Sequence, residues 1–167
     1  MARTQVKDHV DRILEQWAAE LPELDSSPMA VLGRVSRLAA LTEREFDAVF
    51  ARYGINGGEF DVLAALRREG EPFRLTPTEL AHALMVTSGG MTKRLRALEA
   101  AELVRRAPSR TDGRSSDVVL TSKGRRLVED AVAAHRANEE RLLASLSPRD
   151  RSALASLLRT LLVELEG

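Results

Sequence analysis

The 167-residue sequence contains no cysteine. This excludes a disulfide framework, a thiolate nucleophile and any cysteine-ligated metal. Aromatic residues make up 4% of the chain, with one tryptophan and one tyrosine, so each large ring stands out. No run of about 20 apolar residues occurs, and nothing is expected to span a membrane. The opening MARTQVKDHVDRILEQW lacks the apolar core of an export signal, so the expected location is the cytoplasm. His9, His82 and His135 are far apart, and no acidic–histidine spacing resembles a metal motif. No nucleophile–base pair and no nucleotide loop marks an enzyme. The expected catalytic residues, metal ligands and cofactors are therefore none.

What is present favours helix. The chain is 44% hydrophobic and 30% charged, and its apolar set is dominated by leucine and alanine, which prefer helix to strand. The net charge is zero, but the charges are not evenly spread. From Met91 to Arg126 ten Lys/Arg stand against four Asp/Glu. A basic stretch on a neutral chain is the footprint expected of a surface that meets a phosphate backbone; a solvated face of mixed charge is its bland alternative.

Apolar spacing predicts a first helix over Val6 to Leu21, with Val10, Ile13, Leu14 and Trp17 on its inner face and Pro22 ending it. A long helix follows from Ser27-Pro28 to about Tyr53, stopped by Gly54. Gly57-Gly58 opens a third, which Gly70 closes, and EPFRL reads as an extended link. Thr76-Pro77-Thr78-Glu79 is a capping box heading a two-turn helix. Val86-Thr87 forms a tight turn, and Ser88 is expected to cap the next helix, whose Leu95 and Leu98 face inward. Leu103-Val104 and Asp117 to Leu120 read as strands flanking a hairpin tip, SRTDGRS. A second long helix starts at Thr121, and a leucine-rich one at Ser147-Pro148.

Two short capped helices followed by an arginine-bearing hairpin form a winged helix-turn-helix, which seats one helix in the major groove. The expected fold class is mainly α: this element plus long dimerisation helices and an extra N-terminal helix. Residues 58–121 are assigned to the winged element, and 1–54 and 122–167 to dimerisation, within a single domain of residues 1–167. The DNA-binding candidates are Thr87, Ser88, Gly89, Thr92, Lys93 and Arg96 on the reading helix. Short hydroxyls and a bare glycine backbone suit close approach to phosphate, and Arg96 suits guanine or backbone. Arg110 and Arg114 on the hairpin suit a narrow minor groove. Asp112 either pairs with an arginine or folds the turn.

The segments TELAHAL, SGGMTKRLRALEAAELVRR and DGRSSDVVLTSKG resemble the MarR family of bacterial transcriptional regulators. RILEQW, SPMAVLGRVSRLA and GGEFDVLAALRR resemble its urate-responsive, PecS-like branch. That resemblance implies a ligand-binding quartet of Trp17, Asp61, Arg94 and Arg106. The chemistry fits. An indole packs on a planar purine, two guanidiniums fork onto anionic oxygens, and Asp61 accepts ligand N–H groups or pairs with Arg94. The residues alone leave other uses open: Trp17 in a core or dimer face, Arg94 on phosphate. The implied function is a homodimeric regulator, expected to be a repressor, that binds double-stranded DNA at a palindromic operator and is released by a small anionic effector, urate. Alternatives are a MarR-type regulator answering to another small aromatic or polycarboxylate ligand, and a helical interaction scaffold that binds no DNA.

Overall fold

The computed structural model describes residues 6–108 and 116–167. The elements run α1 (His9–Glu20), α2 (Ser27–Ala51), α3 (Gly57–Glu69), β1 (Arg74–Leu75), α4 (Pro77–Ala83), α5 (Ser88–Ala100), β2 (Val104–Pro108), β3 (Ser116–Leu120), α6 (Ser122–Leu142) and α7 (Pro148–Glu166). The chain divides into two compact units, Met1–Glu45 and Phe46–Gly167.

In the first unit, α1 starts later than its apolar spacing suggests. Asp8 caps it, accepting from the Asp11 amide at 2.9 Å, while Asp11 accepts from the Asp8 amide at 2.8 Å. Val6 lies outside the helix and is exposed. Reciprocal capping satisfies two otherwise orphaned amides, and one apolar residue at helical spacing does not outweigh it. Arg34 of α2 then forks onto Asp8 at 2.8 Å and Asp11 at 2.5 Å.

The second unit holds the main core. Val62, Leu63 and Leu66 of α3, Leu80 of α4, Met91, Leu95 and Leu98 of α5, and Val118 of β3 are buried together with Val128 and Ala131 of α6. The three strands are ordered β1-β3-β2, all antiparallel, with Arg74 opposite Val119 and Arg106 opposite Val118. Thus the expected extended link at Arg74-Leu75 is a short strand. Its signal is faint because two residues make no periodicity.

Gly124 fixes how α6 meets the wing. A Cβ there would lie 2.0 Å from the Leu103 carbonyl oxygen, so only glycine lets the first turn of α6 cross that backbone. Thr121 caps the same turn, accepting from the Gly124 amide at 3.0 Å and donating to the Glu102 carbonyl at 2.8 Å. His135 of α6 sits edge-on to Phe46, with ring centres 4.6 Å apart. It is thus a packing residue on the α6 side of the core.

Candidate nucleic-acid interface

The reading pair is built by two caps. Thr76 accepts from the Glu79 amide at 3.1 Å and Glu79 accepts from the Thr76 amide at 2.7 Å, which starts α4. After α4 the chain turns through Met85 at φ 50°. The cap of α5 is Thr87, not Ser88: Thr87 is extended at φ −67°, ψ 153°, and its hydroxyl accepts from the Gly90 amide at 3.2 Å. Both residues carry a capping hydroxyl, and the turn decides between them by leaving Thr87 extended. Ser88 becomes the first helical residue.

The two faces of α5 differ sharply. Met91, Leu95 and Leu98 are each 1% exposed, while Thr87, Ser88, Gly89, Thr92, Lys93 and Arg96 are all exposed. A side chain at Gly89 would meet open space, whereas one at Gly90 would lie 3.3 Å from the capping hydroxyl of Thr87. Thr92 donates back to the Ser88 carbonyl at 2.9 Å, which leaves its oxygen as an acceptor on the outer face. The outcome is a polar, cationic helix side seated on an apolar one.

The basic excess is partly spent inside the unit. Arg106 meets Glu99 at 2.5 Å, and Arg125 meets Glu129 at 3.1 Å. Lys123 donates to the Ala101 carbonyl at 2.8 Å. Lys93, Arg96, Arg105 and Arg126 stay exposed, and no ion pair of the described residues includes them. The wing strands pair from Val104 with Leu120 to Pro108 with Ser116. Arg110, Asp112 and Arg114 lie outside the described residues.

One wing feature has no counterpart among the sequence candidates. Arg74 Nε lies 2.9 Å from Asp117 Oδ2, and Arg74 Nη2 donates to the Pro108 carbonyl at 2.8 Å. The side chains are 17% and 7% exposed. The Nε–H does not point along the line to Asp117, so the contact is an ion pair more than a directed hydrogen bond. It joins β1 to both wing strands at their Pro108–Ser116 end. The available signal was a lone charge of each sign in two apolar segments, PFRL and SDVVL, since buried charges require partners.

The ligand quartet divides between the units. Trp17 lies on α1 in the first unit and is 39% exposed. Asp61 on α3, Arg94 on α5 and Arg106 on β2 belong to the second. The Arg94 guanidinium lies against the first turn of α3 at Gly58. Asp61 is open to water on one side and crowded by protein on the other. That crowding pushes its carboxyl above the ordinary aspartate range, against the opposing pull of Arg94, Arg68 and His135. Among the ion pairs of the described residues, Arg94 and Asp61 do not close to 4 Å. Arg106 is engaged by Glu99, with Ser116 Oγ 3.5 Å away.

Residues 53–115 match the sequence pattern of the MarR family. The chain is 40% identical over 149 residues to the helix-turn-helix transcriptional regulator PecS of Dickeya dadantii, covering 89% of this chain and 90% of that one. The chain belongs to the MarR family. A helix-turn-helix transcriptional repressor of Mycobacterium tuberculosis is 35% identical over 128 residues, 76% of this chain and 88% of its own length. A solved structure of a mutant Escherichia coli MarR complexed with operator DNA superposes with a TM-score of 0.71 at 25% identity, covering 83% of this chain and 99% of that chain. The mainly helical winged fold is thus that of MarR regulators, and the protein is a DNA-binding transcriptional regulator of the MarR/PecS type; the relatives it matches are named as transcriptional regulators, not as enzymes. Among the described residues no helix is long and apolar enough to cross a membrane.

Proposed function

We propose that two copies of this MarR-family chain form a homodimeric repressor that acts on chromosomal DNA in the bacterial cytoplasm and is released by a small anionic effector, urate. The DNA half rests on α5. Its exposed hydroxyls and cations ride on a helix whose other side is locked in the core, so the reading face is held rigidly. Thr87, Ser88, Gly89, Thr92, Lys93 and Arg96 supply the major-groove and phosphate contacts, and Arg110 and Arg114 the minor-groove contacts.

The pairing half rests on α7, which has no buried residue although Leu157, Leu162 and Val163 are 67%, 53% and 63% exposed. Apolar faces of that extent are covered in stable assemblies. A second copy offers the same surface under two-fold symmetry. Two-fold symmetry in turn favours a palindromic operator whose half-sites are about 10 bp apart.

The effector half is supported by Asp61 and Arg94, a carboxylate and a guanidinium in electrostatic reach of each other without a closed ion pair. They are half-committed groups, ready to take a planar ligand that offers both N–H donors and anionic oxygens. Arg106 would exchange Glu99 for the ligand, and Trp17 would stack on it. Because Arg94 belongs to the reading helix, a ligand that draws on Arg94 shifts that helix and the spacing of the two reading heads. A thousandfold loss of operator affinity requires about 4 kcal/mol of coupling.

Titration of urate into a complex with a selected operator duplex tests the reading. Release by urate and not by xanthine or salicylate is expected. Undiminished binding at saturating urate, with release by a phenolic or a polycarboxylate, would transfer the switch to a different MarR-type effector.

A further inference from the structure

Gly58 has an ordinary helical backbone with no positive φ, so conformation does not require glycine there, and alanine is the better helix former. The Arg94 guanidinium, where it lies, occupies the space a side chain would need. A Cβ at Gly58 would lie 2.7 Å from both Cζ and Nε of Arg94 and 3.0 Å from its Nη2. At the neighbouring Gly57 the closest approach would be 3.4 Å, to Asp47 Oδ1, and the next 3.9 Å, to a Phe50 ring carbon, which is ordinary contact.

Arg94 is half-buried on the flank of α5, beside the fully buried Met91, Leu95 and Leu98 and the exposed Lys93. Its long stem carries the guanidinium to the first turn of α3. The seat on α3 is not a deep electrostatic trap. A cation there faces the positive end of the α3 dipole, offset by Asp61 one turn further on.

We infer that Gly58 is a positioning residue: its missing side chain gives the Arg94 guanidinium a seat on α3, which withholds that charge from DNA and leaves it available to an effector. Any side chain at position 58 evicts Arg94, and the freed guanidinium turns to the nearest phosphate. The second clause, availability to an effector, rests on the urate reading above; the first does not.

The full-length protein and its Gly58→Ala, Gly57→Ala, Arg94→Ala and Gly58→Ala/Arg94→Ala variants are compared by fluorescence anisotropy on one operator duplex between about 50 and 200 mM salt. Gly58→Ala is expected to bind several-fold tighter at low salt and to steepen the log–log salt slope by about 0.9, the value of one added phosphate contact. Gly57→Ala should match the parent, and the effect should vanish in the Arg94→Ala background. A parental slope and affinity in Gly58→Ala overturns the inference, and so does the same gain in the double variant. A Gly58→Ala protein that fails to fold overturns it too, because only a flexible guanidinium stands in the way of the methyl group. Urate is then titrated into each complex: release of Gly58→Ala should need at least tenfold more urate than release of Gly57→Ala, and equal requirements remove the effector clause. If urate releases no protein in the set, the effector reading fails, while the salt slopes still judge the seat.

Discussion

Helices α5 and α7 both carry apolar residues at helical spacing, and the chain treats them differently. In α5, Met91, Leu95 and Leu98 are each 1% exposed, so one chain completes the element by itself. In α7, no residue is buried, and Leu165 is 82% exposed. The same residue type therefore stands in two settings: a core that holds the reading helix still, and a surface this chain leaves uncovered, which the proposal assigns to a second copy. Helical periodicity alone does not distinguish them. The difference lies in what surrounds each helix, since α5 is flanked by α3, α4 and β2, which bury its inner face.

The largest expected effect comes from breaking the α7 surface. Leu157→Glu with Leu161→Glu should give monomers by sedimentation and lower operator affinity about 10²–10⁴-fold, the range lost when two linked contacts become independent. A variant that remains dimeric with full affinity would show that α7 is not the pairing surface. Leu95→Ala attacks the opposite member of the comparison. It should cost about 2–5 kcal/mol in denaturant unfolding, by creating a cavity under the reading helix. A loss below 1 kcal/mol would mean that α5 is not locked in place.

A smaller effect is expected at the Arg74–Asp117 pair. Arg74→Met leaves Asp117 buried without its cation and should cost about 1–3 kcal/mol. Arg74→Met with Asp117→Leu should recover most of that by replacing both charges with apolar groups. If the double variant is no more stable than the single one, the pair is not what joins β1 to the wing. On the outer face of α5, Arg96→Ala should leave stability within about 0.5 kcal/mol of the parent and reduce the salt slope of operator binding by about 0.9. An unchanged slope would remove Arg96 from the phosphate contacts.

The smallest expected effect is a pH dependence. Crowding raises the Asp61 carboxyl above its ordinary value of 3.8, so the folded chain holds that proton more tightly than the unfolded chain does. The resulting stability is complete below pH 3.8 and is lost as pH rises through the raised value. Asp61→Asn should therefore melt higher than the parent at pH 7, with the gap closing as the pH falls below 3.8. A variant that melts lower at pH 7 would show that the charge of Asp61 is already balanced by Arg94 and its neighbours.

Much of the fold was legible because its signals are local. The capping box at Thr76 and Glu79 and the inward Leu95 and Leu98 stand where spacing put them. The features that were not legible depend on partners distant in sequence. Thr87 and not Ser88 caps α5 because the preceding turn sets the backbone. Arg74 finds Asp117 across the sheet, and Arg106, counted in the basic stretch, finds Glu99 on the preceding helix. Glycine at 58 reads as a helix opener until the Arg94 guanidinium is seen above it. The resemblance supplied Asp61, Arg94 and Arg106 as a group; the residues alone offered no reason to join them.

The central claim is that paired copies present two α5 helices to one side of a duplex. Hydroxyl-radical footprinting on an operator selected from random DNA, with the complex mass measured by sedimentation, tests it most directly. Two chains per duplex and two protected blocks about one helical turn apart on the same face are predicted. A single chain with a single protected block would contradict the account.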